Sequence, residues 1–275
     1  MDVSKAWTAF ALGGLTLTGI ACGSSAPEPA APLSAAQRLQ LAVTGVDARI
    51  GRSEARGSGI VIDAQRGLMV TAAHTVWGAR TLKVATALGV LHGRIVARAP
   101  CDDLAVVQLA PNIPGLATLP TAPDGAPAPG QLLRSVGRRR TFTSAGAMAS
   151  LPVRSLGRLG QVRIDPRLPA LPAIRLDSPL VPQVVGGPVL DSHGRLVGMA
   201  QAPGIVIPWS QLQARLRELK PGARSVYVGW ADQYRCVGAQ HAYARATHPG
   251  FRALDARLNA KVAASRLPGT EEAGG

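Results

Sequence analysis

A chain of 275 residues that is 47% hydrophobic but only 4% aromatic must fill its core with Val, Leu, Ile and Ala, and its 31 Gly and 22 Pro favour short strands joined by many turns over long helices. The net charge of +14 is carried almost wholly by Arg, the lysines being Lys5, Lys83, Lys220 and Lys261 alone. Such a surface suits an anionic partner, whether a cell-envelope polymer, phospholipid headgroups or nucleic acid, or reflects only a genome that spells basic positions as Arg. Its tight cluster, Arg134 with Arg138, Arg139 and Arg140, has no interleaved aromatic platform, which argues against a single-strand nucleic-acid groove.

The N-terminus opens with Lys5 and an uncharged run from Trp7 to Ala21, too short to cross a bilayer as a helix and fitting a signal-peptide core over residues 1–22. It ends in Ile20-Ala21-Cys22, which resembles bacterial lipoprotein signals whose cysteine is acylated, although Gly19 stands where Leu is usual. The expectation is an exported chain in the cell envelope, held at the membrane by lipid on Cys22 alone or otherwise secreted. The Pro/Ser/Ala-rich residues 23–40 follow as a linker. With Cys22 acylated, Cys101 and Cys236 remain as a pair for an oxidising compartment, two unrelated buried thiols being the alternative. Cys236, His241 and His248 lack the paired spacing of a zinc site, and neither a metal nor a cofactor is expected.

From Gly57 the pattern becomes strands and turns. Gly59 to Ile62 and Leu68 to Thr71 form a predicted hairpin around a turn at Asp63 to Gly67, and the second run stops at Ala72-Ala73-His74. A later run, Leu104 to Leu109, is opened by Asp102-Asp103. Residues 111–130 form a Pro/Gly-rich connector between two halves of the fold, and the second half begins at Gln131. A histidine closing one strand and an aspartate opening another suit a triad in which the imidazole takes the nucleophile's proton and the carboxylate fixes the ring.

Residues 57–210 resemble the chymotrypsin-like serine proteases, and among them the bacterial HtrA-like enzymes. "GSGIVID", "VTAAH", "DLAVV", "TSAG", "GGPVLDSHGRLVGMA" and "GIVIPWSQL" follow in that family's order. The resemblance implies an all-β fold of two six-stranded β-barrels over residues 41–221. It makes His74 the general base and Asp103 its orienting partner, with Asp102 as the alternative. His92, His193, His241 and His248 lack such a context and read as surface histidines.

The family's nucleophile lies in a segment of the type D-A-x-I-x-P-G-N-S-G-G-P. Asp177, Pro182 and Gly186-Gly187-Pro188 fix the register, which puts Gln183 on the glycine, Val184 on the asparagine and Val185 on the serine. The oxyanion hole then falls on Gln183 and Gly186, with the N–H of residue 185. Valine has no lone pair with which to attack a carbonyl, so no acyl-enzyme forms. Ser178 and Ser192 reach the turn only by a register slip that also displaces Gly186-Gly187, and Pro179 stands where enzymes that cut after basic residues carry an acid.

Past Pro208, Leu212, Leu216 and Leu219 repeat at helical spacing, closing the domain near Pro221. Residues 222–275 concentrate Tyr227, Trp230, Tyr234, Tyr243 and Phe251 and are expected to form a short, mostly helical extension with a disordered end. Three readings follow: a pseudoprotease holding a peptide or protein ligand in the former substrate groove, an active endopeptidase with an atypical nucleophile, or an arginine-rich binder of anionic envelope polymers.

Overall fold

The computed structural model describes residues 32–79, 81–123, 127–138, 147–162, 168–201, 204–219 and 226–247, with scattered positions from 250 to 260. The expected signal, acylated Cys22, Arg139 and Arg140, the "TSAG" segment, His248, Phe251 and the C-terminal end lie outside the described residues.

The described chain starts with a correction. Residues 35–40, assigned by composition to the linker, belong to helix α1 (Ala35–Ala42), opened by a capping box in which Ser34 and Gln37 exchange backbone and side-chain hydrogen bonds. The helix is fastened from its other end. The buried Arg138 guanidinium donates to the Val43 carbonyl at 2.9 Å and to the Gln40 carbonyl at 2.6 Å.

Strands β1 (Val43–Ile50), β2 (Ser53–Asp63), β3 (Leu68–Ala72), β4 (Thr81–Thr86), β5 (Gly89–Ala99) and β6 (Leu104–Gln108) make the first barrel. β1, β2 and β3 pair in sequence, β4 lies on the other side of β1, and β5 bends so that its first half pairs with β4 and its second with β6. β3 pairs with β6 and closes the cylinder. Strands β7 (Leu132–Arg138), β8 (Met148–Val162), β9 (Leu171–Leu176), β10 (Pro188–Leu190), β11 (Leu196–Ala200) and β12 (Ile205–Pro208) close a second antiparallel barrel. These are the two six-stranded barrels anticipated from the motifs.

Three apolar clusters follow from the alternation of inward residues. Val46, Ile50, Met69, Leu82 and Val107 fill the first barrel. Leu133, Val153, Ile174, Val189 and Val206 fill the second. Ile60, Val70, Leu104, Val136, Leu190 and Met199 pack between them. Aliphatic side chains of this size, each contributing about 1.5–3 kcal/mol when fully buried, supply what the few aromatics cannot.

Helix α3 (Trp209–Leu216) follows β12 directly and buries Leu212, as its period predicted. The extension is mostly helical, as expected, with one short strand. It adds strand β13 (Val226–Tyr227), parallel to the second half of β5, before helix α4 (Trp230–Gln233) and helix α5 (Val237–Thr247). Among the described residues no helix is long and apolar enough to cross a membrane.

Candidate functional site

β3 delivers its last residue, Ala72, into a single helical turn, α2 (Ala73–Val76), which carries His74. On the neighbouring strand a 3-10 turn, Pro100–Asp102, leads into Asp103, which adopts a left-handed conformation with φ 49° before β6 begins. That backbone twist is uncommon outside glycine and is tolerated best by Asp and Asn. Its result is a carboxylate that grips the α2 turn twice. Asp103 Oδ1 accepts from the His74 backbone N–H at 2.8 Å, and Oδ2 lies 2.6 Å from His74 Nδ1. The Asp103 carbonyl also accepts from the Ala73 N–H at 2.8 Å and from buried Gln201 at 3.2 Å.

Asp102 is turned away from the histidine. Fully buried, it meets Arg215 Nε at 2.8 Å, Gln233 at 2.8 Å and Gln211 at 3.2 Å. Burial raises its carboxyl above the ordinary range, against the pull of Arg215 and the amide donors. The left-handed turn of the backbone at Asp103 separates the two carboxylates: Asp103 faces α2, and Asp102 ties α3 and α4 to the first barrel.

For His74, burial works to lower the pKa, but the charge of Asp103 and the hydrogen bond to it prevail and hold it above its ordinary value. The imidazolium therefore stabilises the fold fully below the unfolded value of about 6.5, and that contribution fades as pH rises through the higher folded value. A histidine titration followed by NMR should place the His74 midpoint above 6.5. In Asp103→Asn burial acts unopposed, and the midpoint should drop below about 6.5; an unchanged midpoint would disconnect the two residues.

The turn at 182–188 packs directly against this assembly. Gly186 has φ 81°, and a Cβ there would lie 2.9 Å from the Ala72 backbone N and 2.7 Å from Thr71 Oγ1. Gly57 is wedged between Thr75, the neighbour of His74, and the Val185 carbonyl, each 3.0 Å from where its Cβ would be. The Val185 carbonyl accepts from the Ser58 N–H at 2.7 Å, and Ser58 Oγ donates to the Gln183 carbonyl at 2.6 Å. Both glycines are thus dictated by close approach, and they bring position 185 to the end of β3 that carries the histidine.

The residues at the turn's apex are arranged for packing. Pro182–Val184 form a 3-10 turn, Val184 is fully buried in the second-barrel core and Val185 is 8% exposed. The Val185 N–H donates to the Pro182 carbonyl at 3.2 Å. Gly186, expected as an oxyanion donor, instead gives its N–H to the Ala200 carbonyl at 2.7 Å, so its position in the oxyanion hole is corrected to a strand contact. A pair of backbone donors aimed at one developing oxyanion, which acyl transfer needs, is not built from 185 and 186. Ser178 is half-buried in the loop after β9, and Ser192 is exposed beyond β10.

Residues beyond the motifs complete the site. α5 lies against α2: Gln240 donates to Asp103 Oδ1 at 3.3 Å and to the Pro100 carbonyl at 3.1 Å, and the Tyr243 ring meets His74 edge-on with centroids 5.2 Å apart. His241, expected as a surface histidine, is half-buried with its ring edge-on to Trp77 at 5.4 Å. The Tyr243 aromatic was visible as part of an unusual cluster; nothing local marked Gln201 or Gln240. A disulfide, Cys101–Cys236, anchors this extension beside the dyad. Among the described residues no group of three or more His, Cys, Asp or Glu side chains could hold a metal ion.

The family model of the trypsin-like peptidase domain matches residues 57–199, more than half of the chain. No curated protein is significantly similar to it. Solved structures are similar in fold. The active form of the Rv3671c protease from M. tuberculosis is 20% identical with a TM-score of 0.56, over 69% of this chain and 84% of that one. Its inactive form is 18% identical with a TM-score of 0.55, over 69% and 93%. A serine-to-alanine variant of the HtrA-type protease AlgW with a tripeptide is 20% identical with a TM-score of 0.57, over 70% and 65%.

Proposed function

The chain belongs to the trypsin-like peptidase family, and from that premise we propose that it is an exported member without peptidase activity, which holds a peptide or protein segment in the groove beside position 185. The observation that carries the proposal is Val185, a hydrocarbon side chain on the turn that presents the nucleophile, with its own N–H spent on Pro182. Without a hydroxyl no covalent intermediate forms, and His74 has no nucleophile proton to accept. Export is supported by the Cys101–Cys236 disulfide, which suits an oxidising compartment. The use of the groove for binding is supported by the preserved Gly186 and Gly187 packing, and by analogy with the related structure that holds a tripeptide.

The His74–Asp103 pair favours a second reading, a residual peptidase with another nucleophile, because its 2.6 Å contact is that of a working base and its orienting acid. One set of measurements separates the two. The native protein should take no label from a fluorophosphonate probe, leave casein intact, and bind fluorescent peptides from unfolded casein by anisotropy. Cleavage abolished by His74→Ala would replace this proposal with the second reading, and an absence of peptide binding would remove the groove from the protein's function.

A further inference from the structure

The positive charge is unevenly divided between the barrels. Residues 127–208 hold ten arginines, three aspartates and no lysine or glutamate, whereas residues 43–108 hold eight basic and five acidic residues. The outward face of β7, β8 and β9 gathers part of this excess. Leu132 stands opposite Arg154 in the β7–β8 register, Arg134 is the next outward residue on β7, and Leu156 the next on β8, beside Gly157, which pairs with outward Arg175. Leu133, Ser135, Val153 and Ser155 between them point inward. Strand alternation therefore lays arginines and leucines into one surface.

Two features of that surface ask for a partner. Leu132 is 51% exposed and Leu156 53% exposed, the two most exposed leucines among the described residues. Among the same residues none of Arg134, Arg154 and Arg175 forms an ion pair: Asp177 accepts from the Arg154 backbone N–H, and Asp191 is engaged by Arg195 at 2.8 Å. Beyond Arg134 the face runs into a groove of about 400 Å³ lined by Leu39 and Leu119 and edged by Arg38.

We propose that this face docks on an anionic phospholipid surface, with Arg134, Arg154 and Arg175 pairing headgroup phosphates and Leu132 and Leu156 entering the interface. Guanidinium groups pair phosphate oxygens bidentately, and each basic residue near an anionic leaflet adds to the attraction. The leucines decide between ligands of like charge: a hydrophilic polyanion gives exposed leucines nothing to bury in, whereas the acyl boundary does. The contact is independent of the peptide groove and holds whether or not that groove is used.

The test uses the full chain carrying Cys22→Ser, which removes the expected acylation site, sedimented with vesicles of phosphatidylcholine alone or mixed with phosphatidylglycerol. Binding is expected to the mixed vesicles only and to weaken as salt is raised. Arg134→Gln, Arg154→Gln and Arg175→Gln together should weaken it about a hundredfold. Leu132→Ser with Leu156→Ser should weaken it about tenfold. Circular dichroism melts check that the variants remain folded. Equal binding to both vesicles, or mixed-vesicle binding unaffected by the arginine changes, overturns the proposal. Loss with the arginine variant alone, leucine changes being silent and heparin competing, assigns the face to a soluble polyanion and also overturns it.

Discussion

Val185→Ser alone is expected to leave the protein almost unreactive toward a fluorophosphonate, whereas Val185→Ser with Gln183→Gly should be labelled at least about a hundredfold faster. The single change restores a hydroxyl beside His74, and the absence of that hydroxyl is by itself worth about 10⁶ in turnover in related triads. It does not restore the electrostatics. The N–H of residue 185 is turned to the Pro182 carbonyl, and the 3-10 turn that directs it there is locked from below by Ser58 on the Gln183 carbonyl and by buried Val184. Glycine at 183 releases the turn to the conformations in which the N–H groups of 183 and 185 converge. His74→Ala on the double variant should then abolish labelling, since the dyad is the base. Equal labelling of the single and double variants would show that the turn, unlike the side chain, is no obstacle.

The parts of this site that could be read from the sequence are those encoded over a few residues. His74 follows Thr71-Ala72-Ala73 at the end of a strand, Asp103 precedes Leu104-Ala105-Val106, and Gly186-Gly187-Pro188 fixes a turn whose close approach to Ala72 forbids larger side chains. The choice of Asp103 over Asp102 was legible for the same reason, as the acid directly before that run, whereas the left-handed backbone that turns it toward α2 had no sequence signal of its own. Helix α1 was hidden although its capping box, Ser34 to Gln37, is written in the sequence, because the surrounding Pro and Ala content reads as linker. The roles of Gln201, Gln233 and Gln240 were invisible: each amide finds its partner about a hundred residues away or more, and no local pattern records a contact of that kind. The direction of the Val185 N–H was equally hidden, being set by the packing of Val184 in the core of the second barrel.

Replacing both Cys101 and Cys236 by Ser should cost about 5 kcal/mol of stability, because the bond closes a sequence separation of 135 residues in the unfolded chain. For a domain of this size that corresponds to a fall of about 10–20 °C in Tm. The loss is expected to be felt unevenly. Cys236 ends the 3-10 turn immediately before α5, and Cys101 lies one residue before Asp102 and two before Asp103, so the bond fixes the helix near the point where it meets the dyad. Without it, the extension is held by the short β13 pairing, the Gln233 bond to Asp102, the Arg215–Asp232 ion pair, the Gln240 and Tyr243 contacts with the dyad, and the burial of Ala244. Amides of residues 237–247 should exchange with solvent much faster in the double variant, while those of β1 and β2 should quicken only as far as the fall in global stability dictates. Because Gln240 and Tyr243 are carried by that helix, the His74 titration should change with it. A stability loss below about 1 kcal/mol with unaltered exchange in α5 would mean that the Asp102 network holds the extension by itself, and would make the cysteines incidental to the site.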